Sequence, residues 1–168
     1  RTGNDQSILI IDDEPAIQNL CARILGQAGY HPVAPAFGSG AVDLALEGAY
    51  DLLLCDIRMP DLNGLELFRR LRKRNPDVVA VMITGHATVE SVIEALNDGV
   101  DGFLQKPFRA QELIEAVENA LRKSRQRREN FRMKALMPLL ELNRLLISDI
   151  DNGSLFGAAL RIVRQKLR

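Results

Sequence analysis

Ser7-Ile8-Leu9-Ile10-Ile11-Asp12-Asp13-Glu14-Pro15 decides the fold. A short apolar, largely β-branched run ends abruptly in acids, and Pro15 opens a helix pattern with Ile17, Leu20, Cys21, Ile24 and Leu25 at helical spacing. A strand with no polar alternation is covered on both faces, which calls for a parallel sheet. The same grammar recurs along the chain. Leu52 to Asp56 precedes a helix carrying Leu65, Phe68 and Leu71, and Asn75-Pro76 stops that helix. Val78 to Thr84 precedes a helix over 89–97, and Gly102 to Gln105 precedes one carrying Leu113, Ile114, Val117 and Leu121. A shorter strand, Tyr30 to Ala34, and a helix over 39–47 complete the alternation. Strand–helix repeated in this way, with right-handed crossovers, predicts a doubly wound α/β sheet.

Composition limits what such a fold serves. The chain has 168 residues, 46% of them hydrophobic, which fills one core of ordinary size. Its apolar runs, Val78 to Ile83 among them, are far below membrane-spanning length, so no membrane association is expected. Residues 1–6 are polar, carry no signal-peptide pattern and read as a disordered segment; without an initiator Met they suggest a trimmed start. Cys21 and Cys55 are too few for a disulfide framework or a four-cysteine zinc site, and read as buried thiols in a reducing cytoplasm. The formal net charge of zero conceals an asymmetry. Residues 1–120 hold 10 Lys and Arg against 18 Asp and Glu, and residues 121–168 hold 12 against 4. Such a split predicts two units with different tasks, an acidic domain over 7–121 and a basic extension over 122–168.

The chemistry-bearing residues stand where strands end. Asp12 and Asp13 follow the first strand, Asp56 ends the third, Thr84 the fourth, and Lys106 follows the fifth. In an open parallel sheet the carboxyl ends of the strands face one crevice, where ligands bind at the point of strand-order reversal. Each residue alone has a bland reading, since an acid after a strand often caps a helix. All five together point to a site. Three carboxylates in one crevice repel, and a bound cation relieves them. All-oxygen ligation with neither His nor Cys at metal spacing favours Mg²⁺ over zinc. A carboxylate beside Mg²⁺, faced by an ammonium and a hydroxyl, is suited to attack phosphorus and form an aspartyl phosphate.

Four segments carry a family resemblance: Ile8 to Glu14, Asp56-Ile-Arg-Met-Pro-Asp-Leu-Asn-Gly-Leu-Glu-Leu67, Ile83-Thr-Gly-His-Ala87 and Gly102-Phe-Leu-Gln-Lys-Pro-Phe108. Residues 7–121 resemble the receiver domain of a two-component response regulator, with wording nearest the nitrogen-regulatory type. The resemblance implies the flavodoxin-like (βα)5 fold and a phosphorelay function. Asp56 would accept a phosphoryl group from the phosphohistidine of a sensor histidine kinase or a phosphotransfer protein. Asp13 would bind Mg²⁺ directly and Asp12 mainly through water, with Asp56 and the backbone carbonyl of Arg58 completing the protein ligands. Lys106 would pair with a phosphoryl oxygen, its bond to Pro107 being cis, and Thr84 would donate its hydroxyl. Phe103 stands at the switch-aromatic position, so the fourth helix, fifth strand and fifth helix would form the responding surface. No family marker position is substituted. The domain would modify itself and not be a turnover enzyme. A phosphatase with an Asp nucleophile would place a second Asp two residues on, where Arg58 stands. A phosphorylation-independent interaction module is the remaining alternative.

His86, after Thr84, reads as an ordinary loop residue, and Gly64 as a source of backbone freedom where a loop enters a helix. In the extension, Arg122, Lys123, Arg125, Arg127, Arg128, Arg132 and Lys134 face one acid, Glu129. No helix-turn-helix pattern accompanies them, so nucleic-acid binding is not expected. Leu121, Phe131, Leu136, Leu139, Leu142, Leu145 and Leu146 suggest a helical seam, interrupted at Pro138, that joins two copies into a homodimer. Residues 135–168 are similar to the opening helices of a GAF-type sensory domain, which would leave the output domain beyond Arg168.

Overall fold

In a computed structural model, residues 6–85 and 88–151 are described. Twelve elements follow one another: β1 (Ser7–Ile11), α1 (Pro15–Gln27), β2 (His31–Val33), α2 (Ser39–Glu47), β3 (Leu52–Asp56), β4 (Arg58–Met59), β5 (Leu62–Asn63), α3 (Gly64–Arg74), β6 (Val79–Thr84), α4 (Val89–Asn97), β7 (Gly102–Gln105) and α5 (Ala110–Asp151). Five strands form one sheet in the order β2-β1-β3-β6-β7, every neighbouring pair parallel. The chain steps from β1 outward to β2, then returns across β1 to β3. The reversal of strand order therefore lies between β1 and β3. The predicted doubly wound sheet is the observed one.

The uninterrupted apolar strands explain why both faces are covered. Alternate residues point to opposite sides of a strand. Ile8, Ile10, Leu52, Leu54, Val81 and Ile83 pack with Cys21 and Leu25 of α1 and Leu113 and Val117 of α5. Leu9, Ile11, Leu53, Cys55, Ala80 and Met82 pack on the other side with Ala45 of α2, Leu67, Phe68 and Leu71 of α3 and Ala95 of α4. Each of the Leu, Ile, Val, Met and Phe side chains contributes about 1.5–3 kcal/mol by burial. Cys21 and Cys55 are free, buried and in different packing clusters. Burial pushes the Cys21 thiol up to about 12, and the Cys55 thiol up as well. Both thiols are chemically quiet.

The chain divides into two units, Arg1–Arg125 and Gln126–Arg168. The second is helical in its described part, with Phe131, Met133, Leu136 and Met137 exposed. The helix continues across Pro138 instead of breaking there. A proline removes one backbone donor, which a long helix tolerates at a local cost. Residues 152–168, the second half of the GAF-like stretch, lie outside the described residues, as do His86 and Ala87. No helix among the described residues is long and apolar enough to cross a membrane.

Two features near Asp56 were not legible as elements. Arg58–Met59 and Leu62–Asn63 pair as an antiparallel ribbon too short to show periodicity. Asn63 then caps α3, its Oδ1 accepting from the N–H of Leu65 at 2.9 Å. Gly64 begins that helix, and its role differs from the expected one. Among the described residues the positive-φ positions are Gly29, Gly38 and Gly99, and Gly64 is not one of them. A Cβ at Gly64 would instead overlap the carbonyl oxygen of Asp56 and sit 3.0 Å from Cys55 Sγ. Close approach of α3 to the end of β3 is the constraint. Gly64→Ala should therefore lower stability by about 1–3 kcal/mol, the usual cost of overpacking, measured as an earlier urea midpoint at unchanged slope. A midpoint equal to the parent's would show that the backbone gives way freely.

Candidate functional site

Because all five strands run the same way, their carboxyl ends meet along one edge. That edge brings together residues up to 94 positions apart in sequence, from Asp12 to Lys106. Asp12 and Asp13 leave β1, Asp56 ends β3, Thr84 ends β6, and Lys106 follows β7. Asp12 and Asp56 are buried, 1% and 5% exposed, and Thr84 is buried as well. Carboxylate oxygens of Asp12, Asp13 and Asp56 all lie within 4.8 Å of one another.

The two buried aspartates are set in the same way. Asp12 Oδ1 accepts from the N–H of Glu14 at 2.9 Å, and Asp56 Oδ1 accepts from the N–H of Arg58 at 2.9 Å. Each carboxylate thus spends one oxygen on turning its own chain two residues on. The other oxygen faces Lys106. Nζ of Lys106 donates to Asp56 Oδ2 at 2.7 Å and stands 2.9 Å from Asp12 Oδ2. The second approach is an ion pair without hydrogen-bond alignment, so Asp12 Oδ2 is buried with no hydrogen-bond donor. The Lys106 backbone is fixed too, its N–H donating to the carbonyl of Thr84 at 2.7 Å, and the Lys106–Pro107 bond is cis.

Burial raises the pKa of the Asp12 carboxyl, although the ammonium of Lys106 and the Glu14 N–H pull it down. Burial also works against the charge of Lys106. The neighbouring carboxylates of Asp56, Asp12 and Glu14 outweigh it and hold the ammonium above its ordinary pKa. Lys106 is therefore a permanent cation. It is nevertheless outnumbered by its acidic neighbours. A cluster of hard oxygen donors, one of them buried without a donor, and a residual negative charge together fit a hard divalent cation such as Mg²⁺.

The residues expected to form the site thus converge as follows. Asp12, Asp13, Asp56 and Lys106 share one crevice; Thr84 borders it as the last residue of the adjacent strand. Arg58 opens the β4–β5 ribbon with its N–H on Asp56. Phe103 is half-buried on β7, packed with the cluster that holds Met82 and Phe68. Glu14 carries a contact that sequence reasoning did not assign: its Oε1 accepts from Lys106 Nζ at 2.9 Å. The signal was its place between two acids and the helix-opening Pro15, which looks like ordinary helix-start chemistry.

Comparisons with known proteins agree in family. Residues 8–118 match the family model described as the response regulator receiver domain. The nitrogen assimilation regulatory protein NtrX of Azorhizobium caulinodans is 37% identical over 131 residues, 77% of this chain and 29% of that protein. A crystal structure of NtrX from Brucella abortus superposes with a TM-score of 0.70 at 34% identity, covering 77% of this chain and 29% of that one. A crystal structure of a response regulator receiver domain protein from Methanospirillum hungatei gives a TM-score of 0.68 at 30% identity, covering 73% of this chain and 98% of that one. The chain spans less than a third of the length of the NtrX proteins it matches.

The raised pKa of Asp12 has a sign that can be measured. A carboxyl whose folded pKa exceeds its unfolded value near 3.8 stabilises the fold below that value, and this contribution is lost as pH rises through the folded pKa. At neutral pH, without metal, burial of the Asp12 charge works against the fold. Asp12→Asn should raise the urea midpoint of the metal-free chain at pH 7, and the gain should shrink on acidification. A lower midpoint for the variant at pH 7 would mean that the Lys106 pairing outweighs burial.

Proposed function

This chain belongs to the response regulator receiver family, and from that membership we propose that it is a phosphorylation switch whose acceptor is Asp56. The observation that carries the proposal is the ammonium of Lys106 set 2.7 Å from Asp56 Oδ2 in an acidic crevice. An Asp56 carboxylate oxygen attacks the phosphorus of a phosphohistidine, on a sensor histidine kinase or a phosphotransfer protein. The P–N bond breaks, and the imidazole nitrogen keeps the electron pair and takes a proton as it leaves. Mg²⁺ held by Asp12, Asp13, Asp56 and the carbonyl of Arg58 would neutralise charge on the transferring group. Lys106 receives one phosphoryl oxygen, since its Nζ already touches the acceptor. The hydroxyl of Thr84, at the end of the strand beside Asp56, donates to another oxygen.

A new dianion beside a buried hydroxyl draws Thr84 inward. Phe103, half-buried two strand-positions before Gln105, turns into the space released, and the surface of α4, β7 and α5 changes with it. The domain modifies itself once per cycle and does not turn over a metabolite. Its place with a kinase partner is the cytoplasm. Leu121 of the expected seam is buried in the sheet-bearing unit, and the exposed Phe131 and Leu136 of α5 belong to the seam that would pair two copies and pass the change to a C-terminal output.

An acyl-phosphate reagent with Mg²⁺ should add one phosphoryl group per chain by intact mass spectrometry, and Asp56→Asn should lose the adduct entirely. Repeated turnover would identify a phosphatase, and no adduct a phosphorylation-independent binding module. Truncation after Arg125, which keeps the buried Ser124, should leave a monomer by light scattering where the full chain is a dimer. A dimer that persists would place the interface on the sheet-bearing unit.

A further inference from the structure

Lys106 Nζ carries three N–H groups, and three carboxylates stand around it: Asp56 Oδ2 at 2.7 Å, Asp12 Oδ2 at 2.9 Å and Glu14 Oε1 at 2.9 Å. A phosphoryl group on Asp56 brings three strong acceptor oxygens to the same ammonium. Asp56 gives up its carboxylate charge on becoming the acyl phosphate, but the group that replaces it carries more charge and more acceptors, so Asp12 and Glu14 compete with it for the ammonium. The side chains of Asp12 and Asp56 are almost wholly buried, whereas that of Glu14 is 60% exposed. A buried carboxylate that loses its cation has nothing to replace it, while an exposed one regains water. Glu14 is the partner that yields most cheaply.

The placement of Glu14 is not accidental to its backbone. Its N–H donates to Asp12 Oδ1 at 2.9 Å, and its carbonyl accepts from the N–H of Gln18 at 3.0 Å. An acid at a helix N-terminus ordinarily turns its carboxylate toward the free N–H groups there. Glu14 makes no such side-chain cap on α1. Its carboxylate reaches instead across 92 positions of sequence to Lys106. It also stands outside the group of three acids, Asp12, Asp13 and Asp56, whose oxygens crowd together.

We propose that Glu14 is the exchangeable counter-ion of Lys106, holding the ammonium in the resting chain and being displaced by the phosphoryl group on Asp56. This deepens the phosphoacceptor reading and rests on it. Two consequences act in one direction. The charge on Glu14 occupies the ammonium that the phosphodonor needs, and it repels an incoming dianion. Glu14 is a positioning residue, acting through Lys106 on the apparent affinity of the acceptor for its donor.

Glu14→Gln keeps the length and one acceptor oxygen but removes the charge. With the full chain and Mg²⁺, acetyl phosphate is titrated and the adduct read by intact mass. The half-saturating concentration should fall about two- to five-fold, or roughly 0.4–1 kcal/mol, the scale of an exposed ion pair. Any change in the saturated rate should be smaller. The difference should shrink in about 1 M salt, where the screening length is only about 3 Å. In metal-free protein the ¹⁵N resonance of Lys106 Nζ should move in the variant, a signature that a merely structural role would not produce. An unchanged or higher half-saturating concentration overturns the proposal, as does an unmoved Lys106 resonance. A large loss of Mg²⁺ affinity by calorimetry would overturn it too, by making Glu14 a metal ligand. If the parent chain takes up no phosphoryl group while the Lys106 resonance moves, the phosphoacceptor reading fails and the ion pair stands.

Discussion

The ammonium of Lys106 is the constraint around which the crevice is built. It comes from the loop after the edge strand β7, yet its contacts lie on residues that leave β1 and end β3. Two unit charges 4 Å apart interact by about 4 kcal/mol at the effective dielectric of a protein surface. Carboxylates gathered as closely as Asp12, Asp13 and Asp56 would push the strand ends apart by repulsions of that order. One cation among them turns part of that repulsion into attraction. The parallel register of β1, β3, β6 and β7 is what lets a single lysine reach both acids, because only parallel strands end on the same edge.

The rest of the architecture keeps that edge in place. The strands are apolar on both faces, so their burial offsets the cost of acids at their ends. Behind Asp56 the chain turns at once through the β4–β5 ribbon into α3, and only glycine at position 64 allows the helix to start against the Asp56 carbonyl. Farther out, Arg69 of α3 bonds Glu94 of α4 at 2.7 Å and Asp98, just after that helix, at 2.8 Å, and Arg72 bonds the Asp98 carbonyl. These contacts are exposed and individually weak, on the order of 0–1 kcal/mol. The exposed clamp therefore adds little to the apolar packing of Ala95 that seats α4 on the sheet.

What was legible in the sequence follows a physical division. Strands buried on both faces announce themselves as unbroken apolar runs, and polar residues at their ends stand out against that background. Asp12, Asp13, Asp56, Thr84 and Lys106 could be gathered on paper because topology alone brings strand ends together. The contact of Glu14 with Lys106 could not, since it depends on where a long side chain points across 92 residues of separation. The reason for Gly64 was hidden likewise. A glycine needed for φ and a glycine needed for clearance look the same in a sequence, and only the nearby Asp56 carbonyl tells them apart. The two-residue strands of the ribbon are shorter than any period they might display.

Burial of acids separates chemistry from scaffolding in this fold. Asp101 is as hidden as Asp56, at 6% exposed against 5%. It stands just before β7, at the opposite end of the sheet. Its Oδ2 accepts from the N–H of Ala80 at 3.0 Å, while its own N–H donates to the Ala80 carbonyl at 2.9 Å. That carboxylate is satisfied by backbone and fixes the register of β7 on β6. Asp12 is buried more deeply still, its Oδ2 held only by the ion pair to Lys106, and its ionised form is disfavoured. A buried charge that its own chain compensates only in part is costly, which fits a site that takes up a cation. The local rules of burial hold at the end of the sheet that only has to be stable, and fail at the end where a cation and a phosphoryl group would complete the set.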